Sequence, residues 1–172
     1  MTVLLLVRHG ETDWNAEGRL QGHTDTPLND YGRRQATALA EQLAGDGIAA
    51  IYASDLSRAL ETAEIVGGRI GLPVSVEPDL REKNWGSWEG LTPTERDSVE
   101  YVGESTEEHR ERTLRALLAI AGRHPGERVL VVTHGGSVRR VQAAVSGFAM
   151  PVIGNCDVWT CVHEDGSIRP LD

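Results

Sequence analysis

Two short apolar runs, each ending in a histidine and a glycine, constrain this chain more than any other feature. Val3-Leu4-Leu5-Leu6-Val7 leads into Arg8-His9-Gly10, and Val129-Leu130-Val131-Val132 leads into Thr133-His134-Gly135-Gly136. Continuous apolar runs of this length with β-branched members suit central parallel strands covered on both faces. Helical patterns lie between them. Ala36, Leu39, Ala40 and Leu43 space a helix that begins near Asn29 or Asp30 and is stopped by Gly45 and Gly47. Residues 49–53 read as a short strand. Ser54 and Asp55 are good caps for a second helix, whose stripe is Leu56, Ala59, Leu60, Ala63 and Val66 and whose end is marked by Gly71 and Pro73. Residues 74–76 form a brief strand. Ser105 with Glu108 makes a capping box for a helix running to about Gly122, with Leu114, Leu117, Leu118 and Ala121 toward the core. A further helix spans 137–145 and a last strand 157–162. Residues 8–28 and 78–103 are polar and interrupted by glycine and proline, so both read as loops, the second with one short helix. Strands alternating with helices predict an α/β fold: a three-layer sandwich with a mostly parallel central sheet and helices on both faces.

Composition sets limits on what such a fold can do. The 172 residues fit a single domain, 1–172, and with only 5% aromatics its core must rest on Leu, Val, Ile and Ala. A net charge of -9 argues against a nucleic-acid partner. It does not exclude an anionic ligand, because a local cluster of Arg and His outweighs screened distant charge. The N-terminal apolar run is too short for a secretory signal or a membrane span, and no targeting signal is visible, so a cytoplasmic protein without membrane attachment is expected. Cys156 and Cys161 are not a CxxC pair and no zinc ligand set is apparent; they read as buried thiols in a reducing compartment.

Placed as parallel neighbours, the two runs deliver His9 and His134 to one edge of the sheet, the carboxyl edge where α/β folds bind ligands. Arg58 follows the strand 49–53 near the start of its helix and reaches the same edge. Arg8 and Arg58 are then positioned to clamp one phosphate bidentately, with helix N-termini adding N–H donors. A phosphate ester resists attack because its oxygens are anionic; Arg8, Arg58 and His134 would offset that charge. His9 would be the nucleophile through one ring nitrogen, its other nitrogen held by a fixed acceptor such as a backbone carbonyl. Glu82 is the candidate general acid and base. Each residue has a plainer reading. A lone histidine at a strand end is more often structural, Arg58 on an amphipathic helix is usually solvated, and Glu82 between Arg81 and Lys83 fits a surface ion pair. Convergence of several such residues on one edge favours chemistry.

These residues carry a family resemblance. Arg8-His9-Gly10-Glu11-Thr12 with Trp14-Asn15 resembles the signature that opens the histidine phosphatase superfamily, which includes cofactor-dependent phosphoglycerate mutases and many phosphatases. Gln21-Gly22 with Asp25 and Pro27-Leu28 is similar to its next loop. Tyr52-Ala53-Ser54-Asp55-Leu56-Ser57-Arg58-Ala59 with Glu61-Thr62-Ala63 resembles its second arginine motif. Leu80-Arg81-Glu82 with Gly86, Trp88, Glu89 and Gly90 resembles the acid/base segment, and Val132-Thr133-His134-Gly135-Gly136 the second histidine motif. The resemblance spans nearly the whole chain. It implies His9 as the phosphorylated nucleophile, Arg8, Arg58 and His134 as the phosphate pocket, and Glu82 as proton donor. It implies a phosphate contact from Asn15 and lining groups at Thr12, Gln21, Gly22 and the Gly135 amide. No metal and no cofactor are implied.

The family's mutases and phosphatases differ in whether the phosphohistidine is kept from water, and shielding needs extra chain over the pocket. The family's mutases carry a longer insertion after the position of Gly90 and a longer tail, and the Leu80-Arg81-Glu82 wording resembles the phosphatase branch. The expectation is a phosphatase of a small phosphorylated metabolite, with an open pocket under a small cap near residues 83–110. A mutase and a phosphoprotein phosphatase are the alternatives, and a non-catalytic phosphate-binding module is disfavoured because His9, Arg8, Arg58 and His134 are all present. Trp14, His23, Lys83, Trp85 and residues 92–104 should set specificity. Trp85 and Trp88 are expected to pack beneath the cap rather than to stack on a sugar or base.

Overall fold

The structure is a computed structural model and describes residues 1–148 and 150–171. Its centre is a six-stranded sheet in the order β3-β2-β4-β1-β5-β6. The apolar runs become β1 (Thr2–Arg8) and β4 (Arg128–Thr133), which pair in parallel with Val7 opposite Val132 and Arg8 opposite Thr133. Strands β2 (Ile48–Ala53) and β3 (Val74–Val76) continue the parallel part. The last strand expected from sequence is instead the first arm of a hairpin, β5 (Val158–Glu164) and β6 (Ser167–Pro170). The hairpin turns at Asp165-Gly166, and β5 runs antiparallel to β1. An Asp-Gly turn between two short arms is a hairpin signal, and β6 was not foreseen because only Ile168 in it is buried.

The alternation of side chains along β1 and β4 divides the core. Leu4, Leu6, Val129 and Val131 pack under α5 (Thr106–Arg123) and α6 (Gly135–Ser146), while Leu5, Val7, Leu130 and Val132 pack under α2 (Asp30–Leu43) and α3 (Ser57–Ile70). Both faces are therefore covered, as the apolar runs require. Local signals hold in several places: Asn29 caps α2 through Gly32 N at 2.8 Å, and Ser105 and Glu108 form the capping box of α5. Two expectations fail. The N-cap of α3 is Leu56, without a side-chain cap bond, because Ser54 and Asp55 are drawn away to His134 and Arg81. Leu118 is 36% exposed, and the buried stripe of α5 runs instead through His109, Thr113, Ala116, Leu117, Ile120 and Ala121. Of the two free thiols only Cys161 is fully buried; Cys156 is half-buried, at a φ of 60°. Burial pushes both thiols up to about 12.

The loops at the carboxyl edge hold short helices: α1 (Asp13–Ala16), two 3₁₀ turns (Pro78–Leu80 and Gly86–Trp88) and α4 (Pro93–Arg96). No helix among the described residues is long and apolar enough to cross a membrane. Backbone contact fixes the loop after β1. Asn29 N donates to Glu11 O at 3.0 Å, and Gly10 and Gly32 pass so closely that a Cβ on Gly32 would lie 2.1 Å from Glu11 O. Gly68, by contrast, is an exposed helix-interior glycine on α3 with open space around it. Gly32→Ala should therefore lower unfolding free energy by about 1–3 kcal/mol, and Gly68→Ala should raise it by about 0.5–1 kcal/mol. Urea unfolding of both variants checks the pair; a neutral Gly32→Ala would contradict the close approach.

Candidate active site

The parallel register of β1 and β4 sets His9 level with His134, and the ladder continues one step past the strands through His9 N to Thr133 O at 3.0 Å. Alternation turns both imidazoles toward the α2/α3 face, where Arg58 projects from the first turn of α3. Arg8 leaves the sheet on the opposite face, beside the start of α6. The two ring centroids are 5.2 Å apart with an edge-on tilt of 64°. A cavity of about 380 Å³ opens here, lined by Arg8, His9, Asn15, Gln21, Gly22, Arg58, Glu82 and Gly135 among others. Eight of the ten residues singled out from sequence thus share one wall. His134 stands behind His9, fully buried, and Thr12 is also fully buried and does not line the cavity.

Each group is held in place. His9 Nδ1 meets the Gly10 carbonyl at 2.7 Å, so that nitrogen carries the proton and Nε2 keeps its lone pair. His134 Nε2 meets Ser54 Oγ at 3.0 Å, while its Nδ1 has no partner among the described residues. Arg58 donates from Nη1 to Thr24 O (2.9 Å) and from Nη2 to Gly22 O (2.7 Å); Arg8 donates from Nη1 to Ile153 O (2.8 Å). In both arginines Nε is buried and unpartnered among the described residues, so each guanidinium keeps an unused N–H there. Thr12 Oγ1 donates to Gln21 Oε1 at 2.7 Å, and Thr26 donates there too, which leaves the Gln21 amide NH₂ free. Asn15 Oδ1 accepts from Thr12 N and Asn155 Nδ2, both at 3.2 Å, which likewise frees its NH₂.

Glu82 is not a surface ion-pair residue. Its carboxylate accepts from Lys83 N (2.8 Å) and from Gly136 N (2.9 Å) at the start of α6, and its side chain is 13% exposed. Gly136 allows this: a Cβ there would lie 2.2 Å from Glu82 Oε1. Arg81 turns the other way, to Asp55 at 2.7 Å. Trp85 and Trp88 stack on each other at 6.3 Å with Tyr101 against both, so they pack as expected, and Trp85 also reaches the cavity wall.

Sequence reasoning passed over three features. His109 lines the cavity, 1% exposed, with Nε2 on Ser137 Oγ at 2.9 Å and 3.8 Å from Glu82. Its signal was available: position 109 continues the helical spacing of Thr113 and Leu117, so a polar residue falls on a buried stripe. Arg139 and Arg140 line the cavity from the second turn of α6. Asn155 binds both His9 O and Asn15; a lone asparagine in a loop gives no signal. Among the described residues no group of three or more His, Cys, Asp or Glu side chains is placed to hold a metal ion.

Electrostatics follow from burial. Desolvation, then the Arg58 charge, holds His9 well below the usual imidazole range, although the Gly10 carbonyl opposes this; burial, Arg58 and His9 do the same to His134. Burial pushes Arg58 down to about 10, against the pull of Glu82, Asp25 and Glu89, so it stays cationic at neutral pH.

Parallel strands at the centre of the sheet bring two neutral imidazoles and two guanidiniums to its carboxyl edge, an arrangement suited to an anion such as phosphate. A model of the histidine phosphatase superfamily (branch 1) matches residues 4–167, and the chain belongs to that family. It is 41% identical over 155 residues to phosphoglycerate mutase-like protein 4 of Arabidopsis thaliana, covering 79% of this chain and 67% of that one. It is 39% identical over 165 residues to the metal-independent phosphoserine phosphatase of the same plant, covering 85% and 69%. Among solved structures, Bacillus stearothermophilus YhfR superposes with a TM-score of 0.91 at 36% identity over 99% of this chain and 95% of that one. A mycobacterial glucosyl-3-phosphoglycerate phosphatase superposes with a TM-score of 0.87 at 32% identity over 97% and 95%. The chain is a phosphatase of this family.

The histidines make stability depend on pH. In the unfolded chain they titrate near 6.5; in the folded chain His9 and His134 titrate lower. Their contribution is complete above about pH 6.5 and is lost as pH falls from there through the depressed folded-state values, at up to about 1.4 kcal/mol per pH unit for each. Urea midpoints at about pH 7.5 and 5.5 should show the fall, and His134→Asn should shrink it; an unchanged slope in that variant would contradict the burial of a neutral ring.

Proposed function

We propose that the chain hydrolyses a small phosphomonoester in two steps at this cavity. One observation carries the reading: two imidazoles stand level on adjacent parallel strands, with a fully buried arginine beside them. The phosphoryl group lies between the Arg8 and Arg58 forks, with the Asn15 and Gln21 amides and the Gly135 N–H adding donors to its oxygens. His9 Nε2 attacks phosphorus in line with the ester oxygen. The P–N bond forms, the P–O bond breaks, and Glu82 in its acid form gives the leaving alkoxide a proton. Water then attacks the phosphohistidine: a P–O bond forms, the P–N bond breaks and returns its electron pair to His9 Nε2, Glu82 takes the water proton, and phosphate leaves. A neutral His9 is needed for the first step, and its burial supplies one. His134, edge-on behind His9, would meet the phosphoryl oxygens only through its unpartnered Nδ1 once substrate is bound, and otherwise backs the His9 ring.

The covering segment favours hydrolysis over transfer to a second alcohol. Between Leu91 and Glu104 it carries only the single-turn α4, and the cavity wall includes exposed Gly18 and half-buried Arg19 and Trp85, which leaves water a path. The names of relatives suggest that the substrate is a phosphorylated small acid or its derivative. The reading includes a site in the cytoplasm.

Two variants test the mechanism. His9→Ala should reduce hydrolysis of p-nitrophenyl phosphate to background while the far-ultraviolet circular dichroism stays unchanged, and alkaline quench should trap an acid-labile phosphoprotein in the parent chain only. Turnover by the variant at the parent's rate would remove His9 as nucleophile. Glu82→Gln should slow glycerol 3-phosphate by about 10²–10⁴-fold and the aryl ester far less, because only the alkoxide needs the proton. Equal slowing of the two esters would assign Glu82 another task.

A further inference from the structure

The return from α6 to β5 touches three residues that the mechanism uses, yet its own contacting residues stay outside the cavity. Ile153 O accepts from Arg8 Nη1 at 2.8 Å, and Cys156 N donates to Arg8 O at 2.8 Å. Asn155 Nδ2 donates to His9 O at 2.9 Å and to Asn15 Oδ1 at 3.2 Å. Arg8, His9 and Asn15 line the cavity, whereas Ile153, Asn155 and Cys156 do not. Whatever these three do to a bound phosphate is therefore done through the residues they hold.

The return is held in one shape. Asp157 N donates to Gly154 O at 3.1 Å and Gly154 N to Asp157 Oδ2 at 2.7 Å, which closes the turn 154–157. Cys156 within it takes a left-handed φ of 60°, a conformation unfavourable for a residue with a side chain. Packing of that side chain against the core beneath α2 and α3, together with the bond from Cys156 N to Arg8 O, offsets the cost. The turn thus sets the Asn155 amide at a fixed place beside the end of β1.

An amide side chain can present either its oxygen or its NH₂ in nearly the same outline, so its neighbours must decide which end meets a ligand. For Asn155 they decide firmly. Its nitrogen lies between two oxygens, and one of them, the His9 carbonyl, belongs to the backbone and cannot turn over. Asn15 Oδ1 then accepts from Asn155 Nδ2 as well as from Thr12 N, each at 3.2 Å. With both donors on its oxygen, Asn15 keeps its NH₂ for the cavity; turned over, it would set an oxygen against a phosphate. We propose that Asn155 is a positioning residue that takes its orientation from the His9 carbonyl and imposes it on Asn15, so that the Asn15 NH₂ donates to the phosphoryl group. The inference rests on the phosphatase reading and adds to it the residue that orients one of the phosphate contacts.

The test measures binding of inorganic phosphate by calorimetry beside hydrolysis of p-nitrophenyl phosphate. Asn155→Leu removes the donor at similar volume. It should weaken phosphate binding by about threefold to tenfold, and Asn15→Ala should weaken it by about tenfold, as for one hydrogen bond to a charged group; kcat/KM should fall in step. Two residues that reach the ligand through one amide do not give losses that multiply. Asn15→Ala combined with Asn155→Leu should therefore bind phosphate within about twofold of Asn15→Ala alone, whereas a role confined to holding the turn would multiply. Asn155→Ala carries the same expectations should leucine prevent folding. In a parent chain that hydrolyses the aryl ester, parent-like phosphate affinity in the Asn155 variant or in Asn15→Ala, or losses that multiply in the combination, would overturn the inference alone. A parent chain that hydrolyses neither this ester nor glycerol 3-phosphate would overturn the phosphatase reading and the inference with it.

Discussion

The Arg58 guanidinium is completely buried, and much of the carboxyl edge is arranged around that fact. A cation taken out of water must be given oxygen acceptors or a nearby negative charge. Two carbonyls, Gly22 O and Thr24 O, supply the acceptors, so the loop from Gln21 to Asp25 must fold back over α3. Gly22 takes a φ of 58° to do so, and a Cβ there would meet Glu89 at 2.1 Å. Glu89 in turn holds the amides of His23 (2.8 Å), Thr24 (2.9 Å) and Trp85 (3.2 Å), which joins this loop to the segment that covers the cavity. Burying one arginine thus organises two loops that are distant in sequence. The same charge lowers the pKa of both histidines beside it, so the structural requirement and the chemical one coincide.

The start of α6 is the second point of convergence. Its Gly135-Gly136 pair lets Arg8 and Glu82 approach the helix end closely; a Cβ on Gly135 would come within 3.1 Å of Arg8 and 2.7 Å of Val152. A helix N-terminus attracts negative charge through its unpaired N–H groups. Here one of those donors is spent on Glu82 before any substrate arrives. Gly135 beside it lines the cavity, so one helix end both holds the Glu82 carboxylate and borders the cavity.

Much of this was legible in the sequence, for physical reasons that differ by residue. The strands β1 and β4 were readable because burial on both faces forces continuous apolar runs, and His9 and His134 were readable because each follows such a run directly. The α2 cap at Asn29 and the α5 capping box obey local rules that tertiary contacts left alone. Where a side chain was recruited from afar, local rules failed. Ser54 and Asp55 look like helix caps, yet His134 and Arg81 claim them. Thr12 was expected at the cavity and instead sits behind Gln21, because its hydroxyl is worth more as a buried donor than as an exposed one. Asn155 and the arginine pair after α6 begins had no pattern to betray them, since their roles arise only when β5 returns beside β1 and α6 faces the covering segment.

The charge balance of the chain means something different once the fold is known. A total of -9 is an average over the whole chain, whereas among the described residues the cavity gathers seven of the 17 Lys and Arg and one carboxylate, Glu82. Exposed charges beyond a Debye length are screened, whereas those lining a recessed, poorly solvated wall are not. An anion near the cavity therefore experiences the local cations rather than the overall sign. A compact anion fits a cavity of about 380 Å³ better than an extended polymer does, and the cations gathered there explain how a protein of low isoelectric point can receive a phosphate group.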